Sequence, residues 1–252
     1  MGTRSEHAPG TFSWVDLSTS SAEGAKSFYG ELLGWDFEDD EGPGGGDYWM
    51  CLVQGHPVAA IVQQDEQPAH WNSYVTVASA DETAAKAKEL GAKTFEDPFD
   101  AMEAGRMAVF ADPTGAALCV WEPRHHIGAH RVNDPGCLTW NELHTGDVDA
   151  ALEFHTALFG WNGEEMDTHG GPRYVIIRVG ERSNGGVMDA QGGEPANWLP
   201  YFTVESRDRS AERAKELGAN ELARMDMAQG KFAALTDPQG AAFAVFEGEV
   251  DD

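Results

Sequence analysis

Glu142 and His144 are the pair of side chains in this sequence best suited to acid–base chemistry. They lie two residues apart in a segment that reads as a β-strand, so both side chains are on one face of it. A carboxylate in an apolar cleft can act as a general base with a raised pKa, and an imidazole titrates near neutral pH. We therefore predict Glu142 and His144 as candidate catalytic residues. The alternative is a strand-end carboxylate that pairs with an arginine or a backbone donor.

Other chemistries have weaker support in the sequence. The Gly-rich stretch from Gly42 to Gly46 lacks the Lys-Ser/Thr ending of a phosphate loop, and we interpret it as a loop over the mouth of a cleft. The spacing of three neighbouring histidines fits no zinc signature, so we expect solvated side chains at His125, His126 and His130. No Ser–His–Asp or Cys–His signature is present.

Composition and charge narrow the function classes. The chain has 252 residues and a formal net charge of −26, which disfavours nucleic acids and anionic membranes as partners. Its longest apolar runs, such as Val58 to Val62, are far below the roughly 20 residues that span a bilayer. The three cysteines are an odd number without CxxC spacing, which indicates reduced, buried thiols and a cytoplasmic location: Cys51, Cys119 and Cys137.

The chain contains two copies of one unit. Phe28 to Trp35 matches Phe154 to Trp161, and three further blocks keep the same order and spacing within one residue. The matched positions are about 126 residues apart, half the length of the chain. This pattern predicts two domains, residues 11–123 and 137–248, joined by a Pro/Gly-bracketed linker at residues 124–136.

Each copy is predicted to contain two modules, and each module consists of a strand, a helix and three further strands. Apolar spacing in Phe28 to Leu33 indicates a helix that Gly34 ends, and the segments around the Asp-Pro-x-Gly turns read as paired strands. We therefore predict an α+β fold in which sheets with helices on their outer face enclose a cleft, where a small ligand would bind. Whether the modules pair within a copy or between copies stays open, and so does dimerisation.

The repeated motifs resemble those of the vicinal oxygen chelate superfamily, which includes glyoxalase I, bleomycin-resistance proteins and extradiol dioxygenases. The resemblance rests on the Leu-Gly-Trp helix end, the Asp-Pro-x-Gly hairpin and the segment from Leu138 to Leu143. Within this superfamily, the sequence is most similar to the two-domain glyoxalase-like subgroup whose members carry the name hydroxylase. It implies tandem glyoxalase/bleomycin-resistance-like domains, each built of two βαβββ modules around a cleft.

The resemblance also implies where a metal ion would bind, and the residues there do not suit one. The expected positions hold Trp14, Tyr74 and Cys119 in the first copy, and Trp140, Tyr201 and Ala244 in the second. Indole and alanine cannot ligate, and a protonated phenol is a poor ligand for a hard divalent ion. We predict no cofactor and no metal, with a displaced site at Asp16, Glu142, Glu122, Glu247 and His144 as the alternative.

Aromatic residues fall at or near the positions that line the cavity in such proteins. Flat rings with a few carboxylates suit a planar or amphipathic ligand, or a cation; packing in the core is the alternative for each ring. The predicted ligand-binding residues are Trp14, Asp16, Trp49, Trp71, Tyr74, Trp121, Trp140, Tyr174, Trp198, Tyr201 and Glu247.

The sequence supports three hypotheses about function. The first is binding of a small, aromatic organic molecule in metal-free clefts, with a role in natural-product resistance or biosynthesis. The second is a cofactor-independent acid–base enzyme, an isomerase, cyclase or hydroxylase-like protein, acting through Glu142 and His144. The third is a metal-dependent lyase or dioxygenase with a displaced site.

Overall fold

The computed structural model describes residues 2–41, 47–65, 67–190, 193 and 195–249. Within these ranges the chain forms two eight-stranded sheets, one two-stranded sheet and four helices. None of the described helices is both long and apolar enough to cross a lipid bilayer. The loop predicted from Gly42 to Gly46 lies outside the described residues.

The first eight-stranded sheet, sheet one, belongs to the first half of the chain. The short strand β1 (Gly2–Thr3) precedes it. Its elements are β2 (Phe12–Thr19), α1 (Ala22–Leu33), β3 (Asp36–Glu41), β4 (Asp47–Val53), β5 (His56–Gln63), β6 (His70–Thr76), α2 (Ala80–Glu89), β7 (Lys93–Ala101), β8 (Gly105–Ala111) and β9 (Ala117–Pro123).

The second half repeats this order as sheet two. Strand β10 (Arg131–Val132) comes first and pairs with β1. The elements that follow are β11 (Leu138–Thr145), α3 (Val148–Phe159), β12 (Asn162–Met166), β13 (Tyr174–Val179), β14 (Arg182–Asp189), β15 (Asn197–Thr203), α4 (Arg207–Glu216), β16 (Asn220–Met227), β17 (Gly230–Thr236) and β18 (Ala242–Gly248).

The strand order confirms the α+β fold of tandem βαβββ modules. Sheet one runs β3-β4-β5-β2-β6-β9-β8-β7, and sheet two repeats this pattern with its own strands. The two modules of one half join through antiparallel pairing of β2 with β6, and of β11 with β15. Modules therefore pair within a copy, which the sequence left open.

The two sheets pack against each other through their helix-bearing faces. Helix α1 contacts α4 of the other half, and α2 contacts α3. Along β2, Val15 and Leu17 belong to this shared core, while Trp14 belongs to a separate cluster on the opposite face. We call that opposite, helix-free side of each sheet its open face. Alternation of side chains along a strand assigns every second residue to it.

Each cleft lies on the open face of a single sheet rather than between two sheets. In a flat sheet β4 and β8 would be about 24 Å apart, at ~4.8 Å per strand. Tyr48 of β4 and Met107 of β8 nevertheless line the same cavity. Sheet one is therefore strongly curled, and the curl creates the cleft that we had expected two packed sheets to enclose.

The aspartates of the two Asp-Pro-x-Gly turns connect the halves. Asp112 accepts hydrogen bonds from the backbone of its own turn and lies 3.0 Å from Nε2 of His155 on α3. Asp237 does the same in its turn and accepts a 3.1 Å hydrogen bond from the Tyr29 hydroxyl on α1. Each motif that marks the repeat thus fixes a turn and also holds the helix of the other half.

Candidate functional site

Four side chains form two hydrogen-bonded pairs on the open face of sheet one. Trp14 Nε1 donates to the Tyr48 hydroxyl at 3.3 Å. The Tyr74 hydroxyl donates to Asp16 Oδ2 at 2.6 Å. Trp14 and Asp16 are two residues apart on β2, and Trp14 pairs directly with Tyr74 on β6. Strand alternation and register therefore place an indole, two phenols and a carboxylate side by side.

Asp16 is a buried carboxylate held by neutral donors. It is 4% exposed, and Asn72 Nδ2 donates to its Oδ1 at 2.8 Å. Burial raises the pKa of Asp16, and the hydrogen bonds from Tyr74 and Asn72 partly oppose this. No arginine or lysine of the described ranges forms an ion pair with it.

A cavity of about 60 Å³ opens beside this carboxylate. Three methionines line it together with Trp14, Tyr48 and Trp121: Met50, Met102 and Met107. Methionine is flexible and polarisable, so such a wall adapts to ligands of different shape. The volume is below the roughly 300 Å³ of a typical organic ligand pocket. The cavity as it stands accepts a group of a few heavy atoms, and a larger ligand requires the wall to move.

His126 closes one side of this cavity, contrary to our expectation of a solvated linker histidine. Its ring lies 4.5 Å from that of Trp14 in an edge-to-face arrangement, and its carbonyl accepts a 2.8 Å hydrogen bond from Trp121 Nε1. Its Nε2 is buried with no hydrogen-bond partner among the described residues. Burial, with smaller effects of His130 and His7, lowers the pKa of His126 to about 4, so the ring is neutral at physiological pH.

The low pKa of His126 predicts an acid-sensitive fold. As the pH falls from 6.5, the unfolded chain binds a proton at this residue and the folded chain does not until about pH 4. The free energy of unfolding should therefore drop across this interval by up to about 3 kcal/mol from this residue. Urea unfolding of wild type and His126→Phe at a series of pH values measures the effect. If His126→Phe lost as much stability over this pH interval as wild type does, the prediction would be contradicted.

The open face of sheet two carries the equivalent arrangement. Trp140 Nε1 donates to the Tyr174 hydroxyl at 3.0 Å, and the Tyr201 hydroxyl donates to Glu142 Oε1 at 2.9 Å. His144 Nε2 lies 2.7 Å from the same oxygen of Glu142. The structure therefore brings together the two candidate catalytic residues and three of the predicted ligand-binding residues.

The electrostatics of the second cleft favour neutral phenols around one carboxylate. Glu142 is buried, whereas the His144 side chain is 25% exposed. Burial, followed by the charge of Glu142, raises the pKa of Tyr174 and of Tyr201 well above the ordinary value. Both hydroxyls therefore remain protonated and can donate, as Tyr201 does to Glu142, and His144, which contacts the same oxygen, is partly exposed to solvent.

Four predicted ligand-binding residues do not line a cleft. The rings of Trp49, Trp71 and Trp198 pack on the helix-bearing faces, Trp49 beneath the ammonium of Lys26 and the others in the shared core. Each is one residue away from a residue on the open face, and alternation turns it to the opposite side. Glu247 also lies on the helix-bearing side, where its Oε2 accepts a 2.9 Å hydrogen bond from the backbone of Arg207 at the start of α4.

The prediction from sequence also missed several residues of the first cleft, among them Tyr48, Asn72 and His126. Tyr48 is the counterpart of Tyr174 at the repeat spacing, so the repeat itself could have revealed it. Asn72 could have been found as the residue two before Tyr74 on the same strand face. No sequence signal indicates that His126 reaches the cavity, because this depends on the path of the linker.

The donor set at the expected metal positions does not fit a divalent ion. Trp14, Tyr74 and Cys119 pair side by side across β2, β6 and β9, and the second cleft repeats this with Trp140, Tyr201 and Ala244. Burial raises the pKa of Cys119, which keeps the thiol protonated. Within the described ranges no three His, Cys, Asp or Glu side chains are arranged to hold a metal.

Two eight-stranded sheets of paired βαβββ modules, with a cleft on the open face of sheet one and the equivalent side chains on that of sheet two, define a protein of the vicinal oxygen chelate type. The chain belongs to the glyoxalase-like domain family, whose model matches residues 14–121 and 140–246. Both matches begin and end on strands of the clefts, so the family resemblance expected from the motifs is confirmed.

Two relatives extend over nearly the whole chain. CFP32 of Mycobacterium tuberculosis, whose name includes the word glyoxylase, is 39% identical over 256 residues and covers 98% of each chain. The anthracycline biosynthesis protein DnrV of Streptomyces peucetius is 32% identical over 259 residues, covering 95% of this chain and 94% of its own.

Solved structures share the fold at low sequence identity. The Mn(II)-bound glyoxalase of Novosphingobium aromaticivorans has a TM-score of 0.68 at 17% identity, covering 100% of this chain and 85% of that one. A catechol 2,3-dioxygenase has a TM-score of 0.68 at 13% identity, covering 97% and 90%. Both a glyoxalase and a dioxygenase use this architecture, so the fold alone does not assign the reaction.

Proposed function

We propose that the protein binds a small organic molecule with an aromatic part in its clefts without a metal ion, and acts in natural-product biosynthesis or resistance. The observation that supports this is the repeated Trp–Tyr–carboxylate–Tyr arrangement on both open faces. Indole and phenol rings offer stacking surfaces, and the carboxylates and hydroxyls offer polar groups that orient a ligand.

The relatives support this ligand class. DnrV and DauV are named as anthracycline biosynthesis proteins, and anthracyclines are planar polycyclic compounds. The adaptable methionines of the first cleft would allow the 60 Å³ cavity to widen around one end of such a molecule. We propose the cytoplasm as its location because all three cysteines are free and buried.

Isothermal titration calorimetry with planar aromatic compounds, anthracycline-type polycycles included, tests the proposal. We expect saturable heat, and an affinity at least about fivefold lower after Trp14→Ala or Trp140→Ala, because each change removes a stacking surface. Trp49→Ala is the matched control, since its ring lies on the helix-bearing face. Absence of saturable heat across the panel would contradict the proposal, and stoichiometric Ni, Zn, Fe or Mn in the purified protein would contradict its metal-free part.

A second candidate function is acid–base catalysis in the second cleft. The supporting observation is that Tyr201 and His144 both contact one oxygen of buried Glu142. The first cleft has Ser18 where the second has His144, so only the second cleft contains this pair. Turnover of a bound ligand that is unchanged in Glu142→Ala/His144→Ala would remove this candidate, with Ser18→Ala as the control.

A further inference from the structure

The first cleft holds a buried carboxylate that has no ion-pair partner among the described residues, and the charge of His70 opposes the effect of burial on the carboxylate's pKa only in small part. Asp16 is 4% exposed and its hydrogen bonds come from a phenol and an amide, both neutral. Each carboxylate oxygen accepts one of these bonds and keeps a further lone pair. Burying a carboxylate without an ionic partner costs free energy. Burial accordingly raises the pKa of Asp16. A cation in the cavity would remove this cost.

The other walls of the cavity also favour a cation. Trp14, Tyr48 and Trp121 contribute aromatic rings, whose faces attract cations. Asp40 adds a second carboxylate at the cavity. The imidazole of His126 is neutral at physiological pH and presents a buried Nε2 without a partner. No lysine or arginine is among the residues that line the cavity.

The size of the cavity selects the kind of cation. A volume of about 60 Å³ holds a group of a few heavy atoms, so only one end of a larger ligand enters it unless the wall moves. An alkylammonium group fits such a space, and its N–H donors match an unpaired carboxylate lone pair and, in the tautomer with an unprotonated Nε2, the imidazole of His126. The ring faces would surround its carbon atoms.

We propose that the first cleft is a subsite for the protonated amine of an organic ligand, with Asp16 as its counter-ion. This inference rests on the proposed ligand-binding function and names the chemical class of the group bound there. The second cleft is not expected to share this preference, because the protein itself places His144 beside Glu142.

Calorimetry with three probes of similar size tests the charge preference: benzylamine, benzyl alcohol and benzoate. At neutral pH we expect benzylammonium to bind roughly 10- to 100-fold more tightly than benzyl alcohol, and benzoate to bind most weakly. Asp16→Asn should abolish the advantage of the amine. The control is Glu89→Gln, at an exposed position on α2, which should keep it.

His126→Phe supplies a second variant that leaves the carboxylate in place. It should weaken benzylammonium binding about 2- to 10-fold through the lost acceptor, and change benzyl alcohol binding less. Circular dichroism identifies any variant that fails to fold, and the comparison of probes on wild type needs no variant at all. Equal affinity for amine and alcohol, or an unchanged amine advantage in folded Asp16→Asn, would overturn the inference.

A fourth probe, n-butylamine, separates this inference from the proposed function. If neutral aromatic compounds bind and amines have no advantage, the proposal of an amine subsite is wrong and the proposal of an aromatic ligand is retained. If n-butylammonium binds through Asp16 while no aromatic compound binds, the proposal of an amine subsite is retained and the proposal of an aromatic ligand is wrong. If none of the four probes and no aromatic compound binds, both are overturned.

Discussion

Replacing Trp198 with alanine is expected to lower the free energy of unfolding by about 3–5 kcal/mol. The ring is 5% exposed and packs 5.0 Å from Phe12 and 6.2 Å from Trp161, between ring centroids. Because Phe12 begins β2 of the first half, whereas Trp161 and Trp198 belong to the second half, the cavity left by this ring would loosen the contact between the halves. Urea unfolding measures the loss.

Trp140→Ala is the matched comparison. Both tryptophans are predicted from the sequence as ligand-binding residues, but the structure places them on opposite faces of the sheet. Trp140 is half-buried on the open face, so its removal should cost less than about 2 kcal/mol and reduce ligand affinity instead. Weaker ligand binding with unchanged stability in Trp198→Ala would show that Trp198 belongs to a binding site after all.

Replacing Asp112 with alanine is expected to cost about 3–5 kcal/mol, as for removal of one partner of a buried pair. The change leaves Nε2 of His155 without its partner, and Nδ1 of the same ring already has none among the described residues. Asp237→Ala should cost less, about 1–3 kcal/mol, because the partner it leaves, Tyr29, is a neutral hydroxyl.

The two aspartates should also respond differently to pH. Burial raises the pKa of Asp112, but the hydrogen bond and charge of His155 lower it more, so its net pKa is below 3.8. Its stabilising effect is present above the ordinary pKa and lost as the pH falls through the lowered value. Burial raises the pKa of Asp237 above 3.8, so its effect is present at low pH and lost as the pH rises through the raised value.

Urea unfolding of both alanine variants between acid and neutral pH tests these signs. Glu89→Ala, at an exposed position on α2, is the control and should change stability by less than about 0.5 kcal/mol. An Asp112→Ala variant as stable as the control would mean that the contact with His155 does not hold the halves together.

Predictions from the sequence succeeded where they depended on periodicity and repetition. The repeat from Phe28 to Trp35 and from Phe154 to Trp161 defined two similar halves, and Gly34 and Gly160 end their helices in the left-handed conformation that glycine favours. The spacing of Glu142 and His144 placed both on one strand face, and the 2.7 Å contact between them agrees with this. Each of these features is local in sequence or repeats at a fixed interval.

Which face of a strand meets the ligand was decided by tertiary structure. Trp71 and Tyr74 are both aromatic, yet Trp71 packs in the core and Tyr74 contacts Asp16. Alternation separates the two faces, but only the packing of helices on one side and the curl of the sheet on the other decide which face is the cleft.

The sequence by itself determined the duplicated α+β architecture and the alternation of side chains between strand faces, because these follow from local patterns and repetition. Only the tertiary structure decided that the linker brings His126 to the first cavity, that Asp112 and Asp237 hold the opposite halves, and that Asp16 is buried without a cationic partner among the described residues. These contacts join residues far apart in the chain, and no periodic signal encodes such distances.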